Sequence, residues 1–171
     1  MRAIAAFVLM IGTPASAEVV SASANGFEVR ETASLSVPPA SAFAAFGRIG
    51  SWWSGQHSFS GNAANLTLAL EPGGCLCERL ADGGGVQHMR IAYVEPDKRV
   101  LLTGSLGPLL FQATTGVMDV EFKPAGAGTQ LVLDYRVAGF FNGGADKLAP
   151  AVDAVLAEQV GRLKAYVGPK R

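Results

Sequence analysis

The C-terminal segment "DKLAPAVDAVLAEQVGRLKAYVG" constrains the fold more than any other part of the sequence. It predicts one amphipathic helix of about six turns, ended by Gly168 and Pro169. One face carries the residues that recur at spacings of three and four, namely Leu148, Val152, Val155, Leu156, Gln159, Leu163 and Tyr166. The opposite side carries most of the charges, namely Lys147, Asp153, Glu158 and Arg162. A helix of this length with one wide apolar face has to bury that face against a large surface elsewhere in the chain.

The residues before this helix predict a set of antiparallel strands joined by short turns. The alternating or strand-rich stretches are residues 27–37, 65–71, 75–80, 86–94, 99–106, 114–124 and 129–140. "ADGGG" between the third and fourth stretches is a hairpin signal, and "PPASAFAAFGRI" after the first predicts one short helix that starts on proline. One strand, a short helix, roughly six strands and a long helix make an α+β order. The concave face of the curved sheet is the only surface large enough to receive the long helix.

The first 17 residues, "MRAIAAFVLMIGTPASA", have the pattern of a secretory signal peptide. Arg2 precedes an apolar run of about ten residues, and Ala15-Ser16-Ala17 forms a small-residue cleavage site. A membrane-spanning helix needs roughly 20 apolar residues, so this run is too short to span. We therefore expect cleavage between Ala17 and Glu18 and a periplasmic or secreted, non-spanning mature chain.

Residues 18–171 suit a single domain with one core. Without Arg2, the chain has 13 Lys and Arg residues and 14 Asp and Glu residues, so it is nearly neutral. No basic block is present, and we do not expect nucleic acid as a partner. The sequence contains no G-x-S-x-G, H-E-x-x-H or P-loop motif, and "GGG" at residues 83–85 is a hairpin tip with no helix after it. We predict no cofactor and no metal. The sequence identifies no protein partner.

The segment "WWSGQHSFSG" at residues 52–61 is the first candidate site. Adjacent tryptophans point in different directions, so one of Trp52 and Trp53 plugs the end of the sheet while the other lies on the surface or at the mouth of an apolar pocket. His57 lies in a Gly/Ser loop, where a solvated or capping role is common. We would assign His57 a role in binding or catalysis only if a second polar group lies against it.

Glu78 and His88 form the second candidate, because the hairpin turn at residues 81–85 places them opposite each other. A carboxylate that orients an imidazole provides an acid–base pair or a polar anchor, and a surface ion pair is the alternative. The pattern of apolar residues on the strand that carries His88 favours the surface alternative. Met89, Ile91 and Tyr93 form its more apolar side, which would turn His88 outward, and a one-residue shift would pair Arg79 with His88 instead.

Cys75 and Cys77 are the only cysteines. In a flat strand, residues two apart are about 6.6–6.8 Å apart with parallel side chains, which disfavours a disulfide. We expect two buried free thiols, with a disulfide across a bulge after Gly74 as the second interpretation. A metal site that uses a histidine is the third, because C-x-C is a weak pattern beside paired C-x-x-C.

The element order, together with "WWSGQHSFSG", "GGCLCE" and "GTQLVLDYRVAG", resembles the START/birch-pollen-allergen-like (SRPBCC) superfamily, in particular its polyketide cyclase-like branch. The resemblance covers residues 27–167. It implies a helix-grip fold, with a curved antiparallel sheet of about 6–7 strands wrapped on the long C-terminal helix around an apolar cavity. It also implies that the tryptophan segment lies at the cavity mouth.

These features favour a periplasmic binding protein for a small hydrophobic or amphipathic molecule, such as a lipid or an aromatic polyketide-like compound. The predicted ligand-binding residues are Trp52, Trp53, His57, Leu68, Glu78, His88, Tyr135 and Leu156. Further cavity walls are expected from Leu66, Leu70, Leu131, Leu133, Val152 and Leu163. The alternative is a cyclase, dehydratase or hydrolase that uses His88, Glu78 or His57 as acid and base. A module that binds a partner protein through an exposed apolar patch on the outer sheet face ranks third.

Overall fold

The computed structural model describes residues 16–169. Eight antiparallel strands form one open sheet in the order β1-β2-β8-β7-β6-β5-β4-β3. The strands are β1 (Ser16–Ser23), β2 (Gly26–Leu35), β3 (Leu66–Leu68), β4 (Cys75–Arg79), β5 (Gly85–Glu95), β6 (Arg99–Gly104), β7 (Thr114–Ala125) and β8 (Gly128–Gly139). The helices are α1 (Pro39–Gly47) and α2 (Ala149–Val167). The predicted α+β helix-grip fold is confirmed, with more strands than the 6–7 expected.

The extra strand is β1, which pairs with β2 at one edge of the sheet. The sequence prediction began its first strand at residue 27 and set residues 1–17 aside as a leader. Residues 1–15 of that leader lie outside the described residues, while Ser16 and Ala17 begin β1. The pairing continues from Glu18 opposite Arg30 to Ser23 opposite Gly26, so most of β1 belongs to the predicted mature chain.

Helix α2 ends at Val167, directly before Gly168 and Pro169, as predicted. It packs against β1, β2 and α1, and α1 packs against β7 and β8. The buried residues of α2 are Ala149, Leu156, Gln159, Val160 and Leu163. The two helices therefore cover one part of the inner sheet face, and the strands β3 to β5 at the far edge are left for loops to cover.

Two β-bulges in β5 decide which side chains face inward. Leu76 pairs with Met89 and Cys77 pairs with Gln87, so His88 is an extra residue between them. A bulge of this kind turns two successive residues toward one face, and His88 and Met89 are both buried. The conflict between the apolar side of this strand and an inward His88 is thereby resolved. The second bulge, between Ile91 and Tyr93, turns Tyr93 outward, contrary to the predicted apolar face.

Among residues 16–169, no helix is both long and apolar enough to cross a lipid bilayer.

Candidate functional site

A cavity of about 430 Å³ lies between α2 and strands β3, β4, β5 and β8. This volume falls within the roughly 300–1,000 Å³ of ordinary small-molecule sites. The lining residues from the strands and α2 are Leu66, Leu76, His88, Tyr135, Leu148, Ala151, Val152, Val155 and Leu156. The lining residues from loops are Ile49, Trp53, Gln56, His57, Ser58, Phe59, Leu106, Gly107, Pro108, Leu109 and Gln112. The wall is thus mostly apolar, with a few polar side chains.

Five of the eight predicted ligand-binding residues lie on this wall, namely Trp53, His57, His88, Tyr135 and Leu156. The other three do not line it. Trp52 donates from Nε1 to the Ala45 carbonyl (3.0 Å) and packs on Phe46, so it fills the core under α1. Leu68 is buried in the core beyond Leu66. Glu78 lies behind His88.

Of the further apolar walls expected, Leu66 and Val152 line the cavity, while Leu70, Leu131, Leu133 and Leu163 pack in or against the core. Sequence reasoning missed the wall formed by the turn Gly107–Phe111 and by Phe59. The turn follows β6, and "GPLLF" offers an apolar loop as its one signal.

The tryptophan segment is fixed to α2 by polar contacts. Both indoles are buried, so neither lies on the surface as one interpretation required. The Ser54 N–H donates to Gln159 Oε1 (2.8 Å), and Arg162 Nε donates to the Trp52 carbonyl (2.8 Å). Trp53 Nε1 closes the loop by donating to the His57 carbonyl (2.8 Å). The same helix that covers the sheet therefore positions one rim of the cavity.

His57 pairs with Glu158 of α2 at this rim. Its Nε2 lies 3.0 Å from Glu158 Oε2, and both side chains are partly exposed. Burial raises the pKa of Glu158, but hydrogen bonds from Ser54 and His57 outweigh it and hold that pKa below its ordinary value. His57 thus has a second polar group beside it, the condition set for a chemical role, and that partner, Glu158, was not predicted.

Glu78 and His88 form a buried pair, but the predicted register, which set them directly opposite each other, is wrong. His88 Nε2 lies 3.1 Å from Glu78 Oε2, although Glu78 stands opposite Val86 and reaches His88 through the bulge. The Glu78 carboxylate also accepts the N–H groups of Phe59 (3.1 Å) and Ser60 (2.5 Å). Burial raises the pKa of Glu78, but these hydrogen bonds outweigh it and leave that pKa below its ordinary value.

Both ring nitrogens of His88 are occupied. Nε2 faces the Glu78 carboxylate, and the Gly107 N–H donates to Nδ1 at 3.4 Å. This pattern fits the tautomer with hydrogen on Nε2. The Phe59 ring stacks on the imidazole at an interplanar angle of 14°. The pair therefore ties β4, β5 and two loops together, and both ring nitrogens have partners in the protein.

Tyr135 of β8 brings a polar group into the apolar wall. Its oxygen accepts the Leu106 N–H at 3.0 Å, and the residue is 0% exposed. Burial raises the pKa of Tyr135 to about 12, so the phenol keeps its hydrogen. Among the described residues, none accepts that hydrogen. Tyr135 is among the residues that line the cavity.

Two glycines make room for these side chains. A Cβ on Gly116 of β7 would lie 2.7 Å from Tyr135 Cε2. Gly104 of β6 adopts φ of 140°, and a Cβ there would lie 2.7 Å from the His88 carbonyl oxygen. Only glycine permits this close approach beside the β5 bulge.

Cys75 and Cys77 form a disulfide, so the expectation of free thiols is wrong. Their Cα atoms are 5.3 Å apart, closer than the about 6.6–6.8 Å of a flat strand. The strand is irregular here, and the bulge lies on the partner β5 rather than after Gly74. No group of three or more His, Cys, Asp or Glu side chains within residues 16–169 is arranged to hold a metal ion.

Comparisons with known proteins agree with this geometry. The profile of a family described as polyketide cyclase/dehydrase and lipid transport matches residues 26–168. An uncharacterised Rhizobium leguminosarum protein superposes with a TM-score of 0.63 at 20% identity over 91% of this chain and 98% of its own. CalU16 of Micromonospora echinospora superposes with a TM-score of 0.58 at 11% identity, over 92% of this chain and 88% of its own. The protein Ara h 8.0201 superposes with a TM-score of 0.58 at 14% identity, over 83% of this chain and 97% of its own. A search of curated proteins finds no match.

Proposed function

The chain belongs to the polyketide cyclase/dehydrase and lipid transport family, within the SRPBCC superfamily, and from its cavity we propose that it binds one small amphipathic molecule between the sheet and α2. The apolar body of the ligand packs against the aliphatic wall. A carbonyl or hydroxyl oxygen on the ligand accepts the hydrogen of the Tyr135 hydroxyl. A lipid-like or aromatic polyketide-like compound has both parts.

The Tyr135 hydroxyl carries this proposal, because no described residue accepts its hydrogen and Tyr135 lines a mostly apolar cavity. A buried hydroxyl without an acceptor costs free energy, and a ligand oxygen removes that cost. A purely apolar ligand would leave the donor unpaired, so the cavity favours a molecule with one acceptor at the Tyr135 end. The role of His88 in this proposal is to hold the wall, since its two nitrogens are already bonded.

Fluorescence titration tests the binding, because Trp53 lines the cavity and Trp52 does not. We use 8-anilinonaphthalene-1-sulfonate as the probe and follow its own fluorescence on direct excitation. The expected result is saturable one-to-one binding with an affinity that Trp53→Phe lowers more than Trp52→Phe. Equal affinities in the two variants, or no saturable binding, would refute a ligand in this cavity.

A second titration tests the polar contact. Tyr135→Phe keeps the ring and removes only the hydroxyl, and Tyr93→Phe is the matched control on the exposed side of the sheet. With a long-chain fatty alcohol as competitor, Tyr135→Phe weakens binding roughly tenfold, the usual worth of one hydrogen bond. Tyr93→Phe leaves it unchanged. Unchanged affinity in Tyr135→Phe contradicts the assigned role.

The His57–Glu158 pair supports a second candidate, an acid–base enzyme in the same cavity. His57 lines the cavity mouth, and no described residue bonds its Nδ1. A neutral imidazole with a carboxylate behind it removes a proton from a carbon next to a carbonyl, the first step of a cyclisation or dehydration. Wild-type protein then accelerates deuterium exchange of a 1,3-diketone, and His57→Gln abolishes this while it keeps probe binding. No acceleration over buffer between pH 5 and 9 excludes this candidate.

We also propose export, with removal of residues 1–17. The n-region, apolar run and A-x-A site support it, and a disulfide suits an oxidising compartment. The intact mass of tagged protein from a bacterial periplasmic extract tests it. A chain that starts at Glu18 is the expected result, and a full-length chain found only in the cytoplasm is the contrary one.

A further inference from the structure

The Cys75–Cys77 disulfide lies directly opposite the bulge that turns His88 into the cavity wall. Cys75 pairs with Arg90 and Cys77 with Gln87, and His88 is the extra residue of β5 between those two pairings. Glu78, the partner of His88, follows Cys77 in the chain. The bond and the buried pair therefore share one short stretch of two strands.

β4 is shortened at the stretch that the disulfide spans. The Cα atoms of Cys75 and Cys77 are 5.3 Å apart, whereas a free extended strand spans about 6.6–6.8 Å over two residues. Without the bond, we expect β4 to relax by about 1 Å or more, and the two inward residues beside the cysteines, Leu76 and Glu78, to move with it. A displacement of that size is enough to break hydrogen bonds at 3.1 Å from His88 and from the Phe59 N–H.

The bond is accessible from outside the protein. Leu76 and Glu78 point inward, while both cysteines point to the outer face of the sheet and are partly exposed. Arg90, the cross-strand neighbour of Cys75, is held at this face by hydrogen bonds to the Gly73 carbonyl (2.8 Å) and to Gln87 (3.2 Å). A fixed cation beside a cysteine stabilises its thiolate and makes that sulfur the better leaving group.

We propose that this disulfide is a redox-sensitive brace, which holds Glu78 and His88 in the cavity wall when oxidised and releases them when an external dithiol reduces it. One thiolate of the dithiol attacks Cys77 Sγ, and the S–S bond breaks with Cys75 leaving as a thiolate beside Arg90. The second thiol of the dithiol attacks the mixed disulfide and frees Cys77. Two electrons and two protons pass to the protein, and the dithiol becomes a disulfide. The loss of ligand affinity on reduction rests on the proposed function, while the release of His88 does not.

The two histidines of the chain allow a direct test, because His57 serves as an internal reference. The ring resonances of both are recorded by NMR for the full chain when oxidised, when reduced with a phosphine, and in Cys75→Ser/Cys77→Ser. Mass spectrometry confirms the gain of two hydrogens. We expect His88 to move in the reduced and variant proteins, His57 to stay, and the phosphine to change nothing further in the variant. An unmoved His88, or equal movement of both histidines from general loosening, overturns the brace.

Probe binding on the same samples separates the two proposals. Affinity for 8-anilinonaphthalene-1-sulfonate falls roughly tenfold on reduction, as for the loss of one charge-assisted hydrogen bond in the wall. If the oxidised protein binds no probe, the proposed function fails. The brace is then still tested by whether the His88 resonance moves on reduction. If the probe binds equally in both states, the effect on ligand binding is refuted.

Discussion

Glu31→Gln is the substitution whose effect on stability follows most directly from the structure. Glu31 points inward from β2 and is 2% exposed, with Oε1 unpaired. Burial, together with repulsion from the adjacent Asp153 carboxylate of α2 and a hydrogen bond to it, raises the pKa of Glu31 to about 8. Glutamine has the shape of the protonated acid and never ionises.

The raised pKa fixes the sign and size of the effect. The folded state holds a proton on Glu31 that the unfolded chain, with an ordinary value of 4.5, has released by neutral pH. The stability linked to this proton is fully present below about pH 4.5 and is lost as the pH rises through about 8. At pH 7, about 2.5 pH units above the ordinary pKa of 4.5, the unfolded chain has gained roughly 3 kcal/mol by releasing this proton, at about 1.4 kcal/mol per unit. We expect Glu31→Gln to recover roughly 2–3 kcal/mol at pH 7 and almost nothing at pH 4.5.

The free energy of unfolding of each variant is measured by urea unfolding, followed by tryptophan fluorescence, from pH 4.5 to 8.5. The matched control is Glu28→Gln, on the same strand but facing outward against Arg136. Between pH 4.5 and 7, wild type and Glu28→Gln lose stability in parallel, while Glu31→Gln loses roughly 2–3 kcal/mol less. Identical pH slopes for wild type and Glu31→Gln would refute the argument from the buried carboxyl pair.

Three further substitutions test the packing around the cavity. Gly116→Ala places a Cβ 2.7 Å from Tyr135 Cε2, so we expect roughly 1–3 kcal/mol of destabilisation in urea melts and weaker probe binding; wild-type values for both would contradict the close packing. Gly161→Ala on α2 meets nothing within 4 Å and should raise the free energy of unfolding by roughly 0.5–1 kcal/mol, whereas a loss would mean that this helix face is covered. Gln159→Ala removes the acceptor of the buried Ser54 N–H and should cost roughly 1–3 kcal/mol; an unchanged melt would show that other contacts hold the loop.

The element order was accessible from the sequence because its signals are local. Alternation predicted β2 and β4 to β8, and the spacing of apolar residues with Gly168 predicted the extent of α2. The prediction missed β1, because its first two residues lie in the predicted signal peptide and the other six were given no element. β3 is shorter than its alternation suggests, since the chain leaves the sheet after Leu68.

The site was predicted in part, for a different reason. Which residues face the cavity depends on the bulge at His88, and no residue type marks a bulge in advance. The disulfide was ranked second because a flat strand disfavours it, and the local irregularity that permits it is a property of two paired strands. Glu158 and Arg162 were assigned to the solvent side of α2, yet they bind the tryptophan segment, because that segment wraps onto the side of the helix.

Native mass spectrometry of the chain from Glu18 to Arg171, purified without added ligand from a periplasmic extract, tests the central claim most directly. The account predicts a non-covalent adduct of one small molecule that disappears on denaturation and is less populated in Tyr135→Phe than in Tyr93→Phe. A bare wild-type chain that also takes up no 8-anilinonaphthalene-1-sulfonate in the same instrument would contradict a ligand-binding cavity.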